Sequence, residues 1–253
     1  MRHNQNTNPN NCNMRNLKKW MFAAILICGT TAVLTSCSDQ SDNPAPQPEG
    51  GIVDNDLAVK CINGTFIGKK TDNVIVYKGI PFVGQQPVGN LRWKAPVEYT
   101  ADNGVYEAYD YGKGACQPEG VVPSMGEDCL YLNVWKASPG GKAEDKSNEK
   151  KPVMVWIHGG AFEMGGTVDP LYEAHNFVEE NPDVIVASIE YRVGVFGFFH
   201  LFHLPDGQDY PDAQNLGLLD QMMALKWIHE NIEAFGGDPD NVTIWGNLPV
   251  PEV

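Results

Sequence analysis

The sequence is poor in basic residues. Its 253 residues contain 18 lysines and arginines against 32 aspartates and glutamates, which makes the formal net charge -14 at neutral pH. A surface of this sign repels phosphate backbones, so the composition argues against DNA or RNA as a partner. Hydrophobic residues make up 42% of the chain, which is enough for one globular domain of fair size.

The sequence also lacks an apolar run long enough to cross a membrane. The best candidate, residues 20–34, is interrupted by a Gly-Thr-Thr stretch at 29–31. It is shorter than the ~20 apolar residues that a spanning helix needs. Three basic residues at positions 15–19 precede it, and Met14 is a better start for such a segment than Met1. This arrangement is typical of a targeting segment and not of a part of the fold.

A cysteine closes the targeting segment. The stretch ends in Leu-Thr-Ser-Cys, with Cys37 last, and resembles the signal of bacterial lipoproteins. The resemblance implies a signal peptide over 1–36, lipid on Cys37 and attachment to the outer membrane of a Gram-negative bacterium, with the periplasmic or external side left open. An ordinary signal peptide with a chance cysteine is the alternative. Residues 37–56 are rich in Ser, Asp, Pro and Gly and predict a flexible tether.

The segment 57–253 carries the pattern of an α/β domain. Short β-type runs from Leu57 to Tyr77 predict a small antiparallel sheet. The continuous apolar runs Pro152–His158 and Asp183–Tyr191 predict strands buried on both faces of a mixed or parallel sheet. Asn241–Trp245 predicts the next buried strand. Strands that alternate with helices in this way indicate an α/β layer architecture.

Two helices are predicted between these strands. A crossover helix is expected within the stretch "LYEAHNFVEE", between the two apolar runs. Gly236 is the expected C-terminal cap of a second, longer helix. The second helix is indicated by apolar residues three or four positions apart, which predict one buried face: Leu218, Met222, Leu225, Ile228, Ile232 and Phe235.

Four segments follow one another in a fixed order. They are "GIPFVGQQPVGNLRW", "EDCLYLNVW", "PVMVWIHGGAFEMG" and "NLGLLDQMMALKWIHENIEAFGGDPDNVTIWG". From Val59 to Gly246, their order and spacing resemble the type B carboxylesterases, a family with the α/β-hydrolase fold that includes the cholinesterases. The resemblance implies the N-terminal part of a central mixed or parallel sheet. It also implies hydrolysis of a small carboxylic ester through an acyl-enzyme, with no cofactor.

The stretch "HGGAF", His158–Phe162, follows a predicted buried strand. By resemblance, the N–H groups of Gly159 and Gly160 form two arms of an oxyanion hole, and His158 holds the loop. Such a donor stabilises the negative charge of a tetrahedral intermediate by ~2.7–4 kcal/mol. A tight turn after a strand is the alternative explanation of the motif on its own.

Further structural links are implied by the same resemblance. Arg92 is expected to pair with Glu127, and Arg192 with Asp220, each pair joining distant segments. Solvated charges are the commoner fate of any arginine and remain the alternative.

The cysteines of the predicted domain have separate expectations. Cys116 and Cys129 match the first disulfide of the family, with two free thiols as the alternative. Cys61 matches no family cysteine and is expected to be a small buried hydrophobe. No spacing of histidines and cysteines suggests a metal site.

The nucleophile is missing from its expected place. Gly246 is the first glycine of a G-x-S-x-G turn, but Leu248 stands where the serine belongs, and no other G-x-S-x-G is present. The acid and the histidine of a triad should follow the nucleophile in this family. We therefore expect a truncated or frameshifted product that is inactive alone. A non-catalytic binding or adhesion protein of the cholinesterase-like type is the alternative.

A shifted reading frame explains the last residues. The codons of Asn247–Val250 can begin with AA, CT, CC and GT. With one base restored before them, these pairs become parts of GAA, TCT, GCC and GGT, which encode Glu, Ser, Ala and Gly. The restored stretch is the serine turn of the family. This coincidence favours the loss of one base near the Gly246 codon over gradual divergence.

Overall fold

The computed structural model describes residues 57–139 and 149–246. The strands in these residues are β1 (Ala58–Cys61), β2 (Asn63–Ile67), β3 (Lys69–Thr71), β4 (Val74–Pro81), β5 (Asp102–Glu107), β6 (Gly114–Ala115), β7 (Met125–Gly126), β8 (Tyr131–Ala137), β9 (Lys151–Ile157), β10 (Ile185–Ile189) and β11 (Gly237–Gly246). The α-helices are α1 (His175–Glu180), α2 (Gly194–Gly197) and α3 (Leu216–Asn231). Short 3-10 turns lie at Gly89–Leu91, Pro170–Tyr172, Gly207–Asp209, Ala213–Asn215 and Ile232–Phe235.

The main sheet has six strands in the order β11-β9-β10-β8-β4-β3. β9 pairs in parallel with both β10 and β11, and Val153 lies between Ile185 and Val242 in the register. β8 runs antiparallel to both β10 and β4. The apolar runs predicted a mixed or parallel sheet, and the sheet is mixed, with its three parallel strands ending at the same edge of the sheet.

The strand predicted at Asn241–Trp245 is part of β11, but the prediction that it is buried was wrong. Ile244 is 54% exposed and Trp245 is 38% exposed, because β11 is an edge strand of the described sheet.

The small N-terminal sheet differs in part from its prediction. β1 and β2 form the expected antiparallel pair. Its third strand is β5, which runs parallel to β2, so the small sheet is mixed. The third β-type run became β4 of the main sheet, because Val74–Tyr77 is buried throughout and therefore requires cover on both faces.

Helices cover the two faces of the main sheet. On one face, Trp227 and Ile228 of α3 belong to the same buried cluster as Val153 and Val155 of β9. On the other face, Val178 of α1 belongs to a second cluster, together with strand residues such as Trp135 and Val186. Burial of these apolar side chains contributes roughly 1.5–3 kcal/mol each. No helix among the described residues is long and apolar enough to cross a bilayer.

The buried face of α3 was predicted incorrectly at its beginning. Leu218 is 42% exposed and Met222 is 65% exposed, although both belong to the predicted apolar row. The buried row is displaced because a polar residue of the helix, Asp220, turns inward. It consists of Leu216, Gly217, Asp220, Ala224, Trp227, Ile228 and Asn231. The end of the helical segment is as predicted, since Gly236 adopts φ of +92° at the close of the last turn.

The crossover helix is shorter than its sequence suggests. A 3-10 turn at Pro170–Tyr172 is followed by α1, a helix of six residues. Asp169 caps the turn by accepting a hydrogen bond of 2.9 Å from the N–H of Leu171. The segment therefore crosses over in two short pieces.

Candidate active site

The loop formed by residues 158–167 follows β9 and begins where the three parallel strands end. Gly160 has φ of +123°, and a Cβ at this position would lie 2.0 Å from the carbonyl oxygen of Met164. The carbonyl of Gly160 accepts hydrogen bonds from the N–H groups of Glu163 (2.9 Å) and Met164 (3.1 Å). Only glycine fits such a close turn without strain.

Two amides of this loop, those of Gly159 and Gly160, have no partner among the described residues. Within 57–139 and 149–246, the N–H groups of Gly159 and Gly160 donate no hydrogen bond. Both glycines are partly exposed, so their N–H groups are open to solvent or to a ligand. Donors of this kind are what an oxyanion hole requires, and the predicted role of the two glycines stays a prediction.

The imidazole of His158, the first residue of the loop, is buried. Its ring stacks on Tyr191, with 4.2 Å between centroids and 14° between planes. The hydroxyl of Tyr191 donates a hydrogen bond of 2.8 Å to the carbonyl oxygen of His158. These two contacts connect the residue after β9 to a residue that follows β10.

A buried carboxylate reaches both ends of the loop. One oxygen of Glu190, Oε2, accepts hydrogen bonds from the N–H (2.8 Å) and the hydroxyl (3.1 Å) of Thr167. The other, Oε1, lies 3.2 Å from Nε2 of His158 and accepts a long bond of 3.4 Å from the N–H of Ala115. Glu190 is 1% exposed.

The amide side chain of Gln117, from a different segment of the chain, binds the same loop. Gln117 accepts a hydrogen bond of 2.8 Å from the N–H of Gly165 and donates one of 2.7 Å to its carbonyl oxygen. Gln117 is buried and also donates to the carbonyl oxygen of Ala115. Its two bonds to Gly165 hold the backbone much as a neighbouring strand would.

The ion pair implied between Arg192 and Asp220 is present and buried. Nε and Nη2 of Arg192 each donate a hydrogen bond of 2.7 Å to a separate oxygen of Asp220. Burial raises the pKa of Asp220 against the opposing influence of the guanidinium. This pair connects the chain after β10 to α3.

The ion pair implied between Arg92 and Glu127 is present as well. Nε and Nη2 of Arg92 donate to the two carboxylate oxygens of Glu127. The guanidinium also lies over the rings of Trp93 (5.7 Å) and Phe196 (5.9 Å). The fork-to-carboxylate geometry fixes both partners in orientation, which a lysine could not do.

The disulfide implied between Cys116 and Cys129 is not formed, because Cys129 is a free thiol. The two side chains pack in different clusters: Cys129 belongs to the main core, whereas Cys116 packs against Phe196. Burial raises the pKa of the Cys129 thiol well above its usual value. Cys61 is also free and buried, and burial raises the pKa of its thiol to about 12.

The last strand ends beside the loop. Gly246 pairs with Ile157, the residue before His158, and a Cβ on Gly246 would lie 2.4 Å from the carbonyl oxygen of Ile157. Leu248, which occupies the expected place of the nucleophile, lies outside the described residues, as does Cys37. Among the described residues, no group of three or more histidines, cysteines or acids could hold a metal.

The family model described as "Carboxylesterase family" matches residues 55–248. The chain belongs to the carboxylesterase family. It is 44% identical over 190 residues to the para-nitrobenzyl esterase of Bacillus subtilis, and 36% identical over 207 residues to an acetylcholinesterase of Leptinotarsa decemlineata. These matches cover 72% and 74% of this chain, but 36% and 32% of the relatives.

Solved structures show the same relationship. A carboxylesterase of Geobacillus stearothermophilus superposes with a TM-score of 0.65 at 43% identity, over 75% of this chain and 37% of that one. A para-nitrobenzyl esterase superposes with a TM-score of 0.66 at 39% identity. The α/β-hydrolase fold is therefore shown. The chain spans about a third of the length of these carboxylesterase relatives.

Sequence reasoning missed two residues of the site, Glu190 and Gln117. Glu190 is the one charged residue inside the run Asp183–Tyr191 after its first position, and a charge at the end of a buried strand was a usable signal. Gln117 carried no such signal, because a glutamine in a loop region looks like any solvated residue. Only the fold brings it to Gly165.

Proposed function

We propose that this family member is built for hydrolysis of carboxylic esters by a serine nucleophile through an acyl-enzyme. The observation that carries the proposal is the pair of unused amides at Gly159 and Gly160, at the carboxyl end of parallel strands. In α/β sheets of this kind, ligands bind at that end of the strands. Membership of the carboxylesterase family supports the choice of an ester as substrate.

The expected mechanism uses the loop as an electrostatic site. The carbonyl oxygen of a small neutral ester would accept hydrogen bonds from Gly159 and Gly160. The negative charge that develops when a nucleophile attacks would strengthen these bonds. The nucleophile would come from the turn that follows β11, since Gly246 lies beside the start of the loop. Water would then hydrolyse the acyl-enzyme.

We further propose that the 253 residues by themselves do not turn over esters. Leu248 has no nucleophilic atom. The residue after the nucleophile should provide another oxyanion amide, but Pro249 has no N–H.

Attachment to a membrane is part of the proposal. The order of basic residues, apolar stretch and Cys37 supports export and lipidation in a Gram-negative bacterium. A single acyl chain binds a bilayer only marginally, so stable attachment to the outer membrane would require more than one chain on this cysteine. The acidic, proline-containing residues 38–56 would then hold the domain away from the membrane surface.

Esterase assays on three purified proteins test the proposal: the 253-residue chain, its Leu248→Ser form and a form in which the lost base and the downstream frame are restored. Short-chain nitrophenyl esters are the substrates. We expect turnover by the frame-restored form alone, and a serine-directed phosphonate should abolish it. Turnover by the 253-residue chain well above a heat-denatured control would refute its inactivity.

A second comparison tests the role of the loop. In the frame-restored form, Gly160→Ala should lower kcat by roughly 10²–10³, because the new Cβ displaces an oxyanion donor. Glu163→Gln, an exposed change in the same loop, is the matched control and should have little effect. A well-folded but inactive frame-restored protein would reject ester hydrolysis and favour the binding-protein alternative.

A further inference from the structure

Both nitrogens of the buried His158 ring face an oxygen, one of a backbone carbonyl and one of the Glu190 carboxyl group, and each is an acceptor when Glu190 is ionised. Nδ1 lies 3.0 Å from the carbonyl oxygen of Gly159. Nε2 lies 3.2 Å from Oε1 of Glu190, and the two side chains are 0% and 1% exposed. A neutral imidazole has one N–H, so it would point a lone pair at one of these oxygens.

The contact between His158 and Glu190 is close but poorly aligned. Nε2 is buried and makes no well-aligned hydrogen bond to any described residue, although Oε1 of Glu190 is near. Such an arrangement is weak for a neutral donor. It is favourable for a charge pair, because Coulomb attraction depends on distance far more than on alignment.

The carboxylate of Glu190 also needs a positive partner. Its hydrogen bonds come from neutral donors, on Thr167 and Ala115. The nearest basic residue along the chain, Arg192, already uses Nε and Nη2 on Asp220. A buried carboxylate without a compensating charge is strongly destabilising. A protonated His158 would supply that charge, and it would also direct an N–H group at each of the two oxygens that face its ring.

We propose that Glu190 is a positioning residue that holds His158 as a buried imidazolium and thereby fixes the Gly159–Gly160 loop. One carboxylate binds both ends of the loop, since Oε1 faces His158 and Oε2 binds Thr167. The amides of Gly159 and Gly160 directly follow the paired histidine. Only the last step, the use of these amides on an ester, rests on the proposed function.

Nuclear magnetic resonance of the full chain with ¹⁵N-labelled histidine tests the ion pair. Signals of His158 are assigned from their loss in His158→Gln. At pH 7 we expect both ring nitrogens of His158 to carry a proton. An unprotonated nitrogen in the unmodified protein would overturn the proposal. The protonation state is measured on the unmodified protein, and His158→Gln serves only to assign the signals.

Variants then assign the effect to Glu190. In Glu190→Gln, which keeps the size but removes the charge, one nitrogen of His158 should lose its proton at pH 7. Glu190→Asp should retain the double protonation at least in part. Glu163→Gln, the same chemical change at an exposed position of the loop, should leave the His158 signals unchanged. Double protonation that persists in Glu190→Gln would overturn the role of the carboxylate.

A kinetic measurement on the frame-restored form tests the positioning. Glu190→Gln should lower kcat by roughly tenfold or more and change KM much less, because misplaced loop amides act on the transition state. Glu190→Asp should recover part of the loss. An unchanged kcat would overturn the positioning role. If the frame-restored form has no activity at all, the proposed function fails, whereas the resonance experiment still decides the ion pair.

Discussion

Arg192 and Asp220 bind each other through two side-chain hydrogen bonds of 2.7 Å, and the backbone N–H of Arg192 adds a third of 3.1 Å to the same carboxylate. Nη1 of Arg192 donates to the carbonyl oxygen of Lys94. Through these bonds, Arg192 joins three distant parts of the chain. The pair also explains why α3 turns a charged residue toward the core.

Removing one partner of this pair should destabilise the folded protein. We expect Asp220→Asn to lower the free energy of unfolding by roughly 3–5 kcal/mol, because the buried guanidinium loses its counter-charge. Urea denaturation followed by circular dichroism measures the change. Glu233→Gln breaks the exposed pair with Lys150 (2.9 Å) and should change stability by less than about 0.5 kcal/mol. Equal effects of the two variants would contradict a structural role of the buried pair.

The carboxylate of Glu173 should make stability depend on pH. Burial by itself raises the pKa of Glu173, but hydrogen bonds from Tyr111, Lys78 and Trp135 outweigh this effect and hold the pKa below its usual value. A folded-state pKa below the unfolded one contributes stability above the unfolded value, ~4.3, and the contribution is lost as pH falls through the lower folded value.

Replacement of this carboxylate should therefore make the stability of the protein depend less on pH in the acidic range. Between roughly pH 5 and pH 3, the urea midpoint of the unmodified chain should fall more than that of Glu173→Gln. Glu163→Gln, at an exposed carboxylate, is the control and should follow the unmodified chain. Parallel curves for the unmodified chain and Glu173→Gln would show that the hydrogen-bonded carboxylate does not contribute.

Patterns of apolar residues predicted the elements of this fold, but not the contacts between segments that are distant in the sequence. Continuous apolar runs report burial on both faces, so β9 and β10 were predictable. The row through Leu218 and Met222 reports helical spacing, but a spacing does not say which face turns inward. Asp220 decides that face through a partner on a different segment. Glu190 escaped prediction for the same reason, because its partners His158 and Thr167 lie 32 and 23 positions away along the chain.

The thiol of Cys129 should be free and unreactive in the folded protein. Its side chain is fully buried and burial raises the pKa of the thiol, so little of the reactive thiolate is present. When no reductant is added, alkylation should modify Cys129 only after the protein has been denatured, as measured by peptide mass analysis. Cys61, which is buried with a raised pKa as well, should behave in the same way. Recovery of Cys129 in a disulfide-linked peptide would restore the pairing implied by the family resemblance.

Cys37 should carry lipid in the bacterium that makes this protein. We expect Cys37→Ala to abolish labelling by a palmitate analogue and to leave the precursor uncleaved or missorted, because cleavage and lipidation both depend on this side chain. Cys28→Ala, a change in the apolar part of the same segment, is the matched control and should keep the label. Labelling that persists in Cys37→Ala would reject the lipoprotein signal.

The DNA around the Gly246 codon should show a lost base. Restoration of one base should convert the codons of Asn247–Val250 into codons for Glu, Ser, Ala and Gly, followed by small residues. The same frame should continue into a stretch of the carboxylesterase family that contains an acidic residue and a histidine, which the triad requires after its serine. Sequencing of this region from the genome and from the transcript measures both features and separates a disrupted gene from a reading error. If the neighbouring frame encodes no such residues, the frameshift is rejected, and Leu248 is then a genuine substitution of the kind expected in a binding protein that has lost its nucleophile.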